Sequence, residues 1–132
     1  MEKCHSHDKV IIATPPGEGH LLGLLALKAA LTLAGYKCIN LGAQIPTDSL
    51  VRAVQDFGAT VVGISISSNF SPHVASSYVL ALRGQLPTQC RLWIGGAGAM
   101  HLSPKALDSA EIFNRTDEAV SALAKVGFIK LN

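Results

Sequence analysis

Three short clusters in this sequence have residue types and spacings that could do chemistry together. The first is Glu18-Gly19-His20-Leu21-Leu22-Gly23, the second Ser65-Ile66-Ser67, and the third Gly95-Gly96-Ala97-Gly98. A histidine on a loop before a helix can present one ring nitrogen outward to a metal. A carboxylate two residues earlier can accept a hydrogen bond from the other nitrogen, which fixes the tautomer and strengthens the ligand. Glu18 and His20 have that spacing. Gly23, expected on the first helical turn, leaves room for a ligand group to lie against the backbone. Ser65 and Ser67 would point to the same side of a strand and can donate hydrogen bonds. The Gly95-Gly96 pair removes side chains where a bulky planar group would need a slot.

Taken singly, each cluster has a plainer reading. Glu18 could be a favourable charge near a helix N-terminus. Ser65 and Ser67 could end a strand, and Gly95-Gly96 could be a turn. What joins them is the set of elements that must carry them. Lys9 to Thr14 reads as a first strand, ended by Pro15-Pro16-Gly17, and a helix follows from about His20 to Ala34, stopped by Gly35. Tyr36 to Leu41 is a second strand. Pro46-Thr47-Asp48 starts a helix to about Phe57 with Thr47 as its N-cap, and Gly58 stops it. Thr60 to Ser67, rich in β-branched residues, is a central third strand. Ser71-Pro72 opens a helix to about Leu86. Arg91 to Ile94 is a fourth strand, Ser103-Pro104 another helix start, Glu111 to Asn114 a fifth strand, and Asp117 to Val126 the last helix. This alternation predicts an α/β domain from residue 9 to 132: a flavodoxin-like (Rossmann-like) doubly wound, five-stranded parallel sheet of order 2-1-3-4-5. In that order ligands bind outside the carboxyl ends of the strands, where the chain reverses direction. All three clusters fall there.

The 132 residues suffice for one domain, and 48% hydrophobic against 15% charged residues suits a well-buried sheet and argues against disorder. A net charge of +2, with basic residues scattered singly, does not suit direct nucleic-acid binding. No apolar run is long enough for a membrane span. Three cysteines (Cys4, Cys38, Cys90) make an odd count, and the expected setting is reduced and cytoplasmic. Residues 1–8 read as a flexible polar tail. Cys4-x-x-His7, with His5 between, is taken there as a solvated segment rather than a second metal site. Cys38 and Cys90 are expected to be buried thiols. His73, His101 and the Asn69-Phe70 loop are placed on the crevice side.

The intervals between the clusters make the pattern specific. Between Gly23 and Ser65 lie 41 residues (24–64), and between Ser67 and Gly95 lie 27 (68–94). The three blocks resemble the cobalamin-binding domain of methionine synthases, corrinoid methyltransferases and adenosylcobalamin-dependent mutases. Their pattern is Asp-x-His-x-x-Gly, then Ser-x-Leu, then Gly-Gly at similar intervals. The resemblance covers about Lys9 to Lys125. It departs at Glu18, where the family favours aspartate, and at Ser67, where it has leucine. Glutamate within Ala13-Thr14-Pro15-Pro16-Gly17-Glu18-Gly19-His20 is similar to one branch, the MerR-type, cobalamin-dependent light-responsive repressors. Leu33-Ala34-Gly35-Tyr36 and Leu41-Gly42-Ala43-Gln44-Ile45-Pro46 also resemble that branch.

The resemblance implies a cobalamin as cofactor, with cobalt held by His20 as lower axial ligand. The ligand would bind with its dimethylbenzimidazole detached from cobalt and the nucleotide tail inserted past Gly23, Ser65, Ser67, Gly95 and Gly96. Ser65 is the candidate to hydrogen-bond the benzimidazole, and Ser67 would make the tail slot more polar. Glu18, Gly19, Leu21, Leu22 and Ala97 complete the implied binding set, and the upper ligand (adenosyl, methyl or hydroxo) stays open. The implied role is a sensory or regulatory module, with a corrinoid carrier subunit of a methyltransferase or mutase as the alternative. A protein partner or a further domain would cover the upper corrin face, since the sequence holds neither the winged-helix segment nor the helical bundle of the repressors.

Two other ligand classes fit less well. Gly17-x-Gly19-x-x-x-Gly23 is off by one from a dinucleotide fingerprint, and the second strand ends without an acid for a ribose. A phosphoacceptor signalling domain would need acidic residues at the end of the first strand, which are absent. No nucleophile and base pair stands out, so the chain by itself is not expected to be a complete enzyme; hard chemistry would belong to the cofactor.

Overall fold

The computed structural model describes residues 8–130. Five strands, β1 (Lys9–Ala13), β2 (Lys37–Gly42), β3 (Val61–Ser65), β4 (Arg91–Gly95) and β5 (Glu111–Phe113), alternate with five helices. The helices are α1 (Leu22–Leu33), α2 (Thr47–Phe57), α3 (Pro72–Gln85), α4 (Pro104–Asp108) and α5 (Thr116–Lys125). Every strand pair is parallel, and the order is β2-β1-β3-β4-β5, as the alternation predicts.

The central strands are covered on both faces, which is why they read as nearly continuous apolar runs. Side chains alternate between two cores with a period of two. Ile11 and Ala13 of β1 join Val62, Ile64, Leu92 and Ile94 beneath α2 and α3, whose Leu50, Val54, Val79 and Leu82 close that core. Val10 and Ile12 join Val61 and Trp93 on the other face, beneath Leu24 and Leu31 of α1 and Ala119 and Leu123 of α5. Cys38 and Cys90 are buried thiols, as expected. No helix among the described residues is long and apolar enough to cross a membrane.

Several element ends follow the sequence signals. Ser71 and Ser103 accept hydrogen bonds from Val74 N–H (3.3 Å) and Ala106 N–H (3.3 Å), each followed by a proline at the first helical position. Gly58 ends α2 with φ 67. Thr47 is not the N-cap of α2. The cap is Pro46, which has no side-chain oxygen to offer, and Thr47 is already helical, its Oγ1 accepting from Gln85 Nε2 at 3.2 Å. A short 3-10 turn, Ala99–His101, follows β4 where no element was expected. Asp8, expected in the tail, is tied down: its N–H donates to Ile129 O (3.0 Å) and its Oδ2 accepts from Ile129 N–H (2.8 Å). Cys4, His5 and His7 lie outside the described residues.

Two boundaries shift with consequences for the site. The first helix starts at Leu22 rather than His20, so His20 stays on the loop. The third strand ends at Ser65 rather than Ser67. Past that point Ile66 N–H donates to Gly95 O (2.9 Å) and Ser67 N–H turns to Glu18 (2.7 Å), so the two-residue alternation stops before Ser67.

Candidate functional site

The loop after β1 is built around Thr14, a fully buried residue. Its Oγ1 donates to Glu18 O at 2.6 Å and accepts from Gln44 N–H at 2.9 Å, while its backbone bonds to Gly42 O (3.2 Å) and Ile45 N–H (2.8 Å). The loop is thereby fastened to the β2–α2 connection. Gln44 adopts φ 61, the single positive φ outside glycine among the described residues, and its Oε1 accepts from Gly17 N–H at 3.3 Å. Such a conformation is held only where its surroundings over-determine it.

Glu18 sits at the centre of this loop with 2% of its surface exposed, so its charge must be met by hydrogen bonds. Oε1 accepts from His20 Nδ1–H (2.8 Å) and from His20 N–H (3.0 Å); Oε2 accepts from Ser67 N–H (2.7 Å). Burial alone would raise the Glu18 carboxyl. The Ser67 hydroxyl dipole, Ser67 N–H and the two His20 donors outweigh it and hold the group at about 2 against an ordinary 4.5. Ser67 Oγ acts there as a nearby dipole and not as a bonded donor: it is buried and has no hydrogen-bond partner. With Nδ1–H committed to the carboxylate, His20 keeps the lone pair on Nε2, and its side chain is 65% exposed. A hollow of about 200 Å³ opens beside it, lined by Glu18, Gly19, His20, Ser67, Asn69 and Phe70 among others.

A second opening, an apolar cleft of about 180 Å³, runs from the strand ends inward between α1 and α5. Gly23, Ser65, Gly95 and Gly96 all line it. Two of these positions approach their neighbours too closely for a side chain as the structure stands. A Cβ on Gly23 would lie 2.5 Å from Ser65 Oγ, and a Cβ on Gly96 would lie 2.3 Å from Ile66 O. Gly96 also has φ 92, a conformation that favours glycine. Gly98, whose added Cβ would stand 2.2 Å from Ser67 O, belongs to the same close turn.

The structure thus brings the three clusters to one end of the sheet, divided between two hollows. Ser67 is not in the cleft with Ser65 but under His20 with Glu18. Leu21 and Leu22 flank His20 at the surface, 41% and 82% exposed, and Ala97 is exposed on the turn after β4. His73 lies in the first turn of α3 and His101 in the 3-10 turn, both exposed. Thr14 and the cleft walls (Leu27, Gly63, Trp93, Phe113 and Ala119) went unread in the sequence. Thr14 carried a usable signal, a hydroxyl residue ending a buried strand just before Pro15-Pro16. The walls carried none apart from ordinary core pattern.

The family model of the B12 binding domain matches residues 8–124. This chain belongs to that family. Its ligand is therefore of the cobalamin class, a cobalt corrinoid. Among curated relatives of this B12 binding domain, the HTH-type transcriptional repressor CarH of Myxococcus xanthus is 32% identical over 93 residues, covering 70% of this chain and 31% of its own length. A corrinoid protein of Desulfitobacterium hafniense is 27% identical over 128 residues, covering 87% of this chain and 58% of its own. The chain thus spans less than two thirds of either relative. Among solved structures, a cobalamin-binding protein from Desulfitobacterium hafniense DCB-2 superposes with a TM-score of 0.74 at 16% identity. That match covers 90% of this chain and 58% of the other, and it bears on the fold.

Proposed function

We propose that this domain binds cobalamin with the lower base detached and His20 as the axial ligand, as a sensory or regulatory module. The observation that carries the reading is the Glu18–His20 pair. In it Nδ1 is engaged by the carboxylate, and Nε2, on an exposed ring beside the hollow lined by Gly19, Ser67 and Phe70, has no partner among the described residues. The residues fit the group. Among the described residues there is no cluster of three or more His, Cys, Asp or Glu to cage a free ion. A single histidine is enough only for a metal that arrives with its own equatorial donors, as cobalt does in a corrin. Gly23, Gly95 and Gly96 bring no side chain to the lining of the cleft. When bound, the corrinoid supplies cobalt–carbon chemistry. Glu18 orients the imidazole and keeps its proton on Nδ1, Gly19 and Leu22 border the metal face, and Ser65 meets the tail.

The regulatory role is favoured by the 32% identity to a transcriptional repressor and by glutamate at position 18. In that role a corrinoid carrying an adenosyl ligand would answer to light, and a partner or further domain would read the exposed upper face. The corrinoid-carrier reading is kept because the corrinoid protein of Desulfitobacterium hafniense aligns with 87% of this chain. Absorbance spectra with hydroxo-, methyl- and adenosylcobalamin, in dark and light, test both. Hydroxocobalamin should show a histidine-ligated spectrum, and His20→Ala should lose it with a weaker affinity. An unchanged spectrum and affinity in His20→Ala would remove the axial assignment. Oligomeric state that changes on illumination supports the sensor; indifference to light, with methyl transfer on adding a partner methyltransferase, supports the carrier.

A further inference from the structure

Thr14 follows β1 with no exposed surface, and its hydroxyl carries two hydrogen bonds whose partners belong to different loops. The proton goes to Glu18 O at 2.6 Å, and a lone pair receives Gln44 N–H at 2.9 Å. Those partners fix the direction of both bonds, since a carbonyl can only accept and an amide N–H can only donate. Between Thr14 and Glu18 the chain makes a turn in which Glu18 N–H donates to Pro15 O (3.0 Å). Pro16 and Gly17, the latter with φ 90, stand at its centre, as a type II turn requires. Past Glu18 the packing ends: Gly19 carries no side chain, and a Cβ placed there would meet nothing within 4 Å. Glu18 is thus held at two ends, its carboxylate by Ser67 N–H and its main-chain carbonyl by Thr14, and His20 hangs one residue beyond that carbonyl.

We infer that Thr14 is a positioning residue for the axial histidine: its buried hydroxyl locks the Glu18 main chain to the β2–α2 loop and so sets where the His20 ring stands before a ligand arrives. The inference rests on the corrinoid reading above and deepens it, adding a residue that acts on the ligand through another. A ring held in place in advance loses little freedom on meeting cobalt, which strengthens binding. Without the hydroxyl, Glu18 O and Gln44 N–H both lose a partner, which is the costly case for a buried polar group. The Glu18–Gly19 peptide can then turn to satisfy its carbonyl elsewhere, because glycine accepts almost any φ. That turn carries the His20 ring away from Glu18 Oε1 and frees the proton on Nδ1 to move to Nε2, the nitrogen that must stay bare for a metal.

The test compares two pairs that differ at the hydroxyl: the unaltered chain against Thr14→Val, and Thr14→Ser against Thr14→Ala. The second pair serves where valine prevents folding. In the ligand-free full chain, nitrogen NMR of the neutral His20 ring should show the Nδ1–H tautomer in the hydroxyl-bearing proteins and a mixture in the others. Titration with hydroxocobalamin should give an affinity roughly ten-fold weaker when the hydroxyl is lost. In a His20→Ala background the same loss should change the affinity by less than about two-fold, because the effect acts through the ring. Equal factors in the two backgrounds, or an unchanged tautomer without the hydroxyl, would make Thr14 a merely structural residue and overturn the assignment. If the unaltered chain binds no corrinoid, the reading above falls, and the tautomer comparison alone upholds or overturns the role of Thr14.

Discussion

At Glu18 one carboxylate joins two parts of the chain that are 49 residues apart, the loop before α1 and the end of β3. Each oxygen is used, Oε1 by His20 and Oε2 by Ser67 N–H, and the whole residue is buried. Its proton affinity is lowered on folding, from 4.5 to about 2, so ionised Glu18 stabilises the fold fully above pH 4.5. That contribution is lost as pH falls from there towards 2 and is worth at most about 3 kcal/mol. Glu18→Gln should remove the difference. Its amide can accept from only one side and turns an N–H₂ against a donor, so the variant is less stable at neutral pH by about 1–3 kcal/mol. Urea midpoints of the two proteins, followed from neutral into acid, should converge in that window. Midpoints that stay parallel would show that Glu18 titrates alike in the folded and unfolded chain.

At the scale of elements, the site depends on how closely α1 and the turn after β4 approach β3. Gly23 and Gly96 both prevent a clash, but with different neighbours. The Cβ of Gly23→Ala would meet Ser65 Oγ, the end of a side chain that can rotate away. Alanine also favours the helix over glycine by up to about 1 kcal/mol. Gly23→Ala should therefore leave the melting temperature near its original value and weaken corrinoid binding ten-fold or more, on the order of 1.4 kcal/mol. The Cβ of Gly96→Ala would strike Ile66 O, a backbone atom, from a positive φ. That change should cost about 2 kcal/mol or more of fold stability. Thermal melts and titrations of the two variants together separate the cases: one loses ligand, the other loses fold.

For the molecule as a whole, a ligand seated between α1 and α5 couples binding to folding, because only the folded chain assembles the three clusters. Cobalamin at 100 times its dissociation constant should stabilise the domain by about 2.7 kcal/mol. This is visible as a rise in melting temperature on the order of 10 °C for a domain of this size. His20→Ala should show a smaller rise at equal ligand concentration. An equal rise would mean that the cobalt side of the ligand contributes nothing to the affinity.

Much of this was legible in the residues. The alternation of β-branched runs with Gly- and Pro-bounded helical stretches determined five strands and five helices, because burial on both faces leaves the central strands no polar positions. Ser71-Pro72 and Ser103-Pro104 marked helix starts through local hydrogen bonding alone. Thr47-Asp48 misled, since a threonine can cap or begin a helix and Pro46 took the cap. The Glu18–His20 pair was readable because its geometry is local, two residues of one loop. Ser67 was not: its partner lies 49 residues away, and that bond draws Ser67 out of the strand and away from Ser65. The cleft was equally invisible. Trp93 and Ala119 read as core in any parallel sheet, and only the packing of α5 against α1 leaves a gap between them. The sequence by itself determined the family and the pairing of His20 with Glu18, which rest on fixed spacing and short-range chemistry. The tertiary structure decided which serine lines the cleft and which one supports the carboxylate, because those depend on where distant chain segments meet.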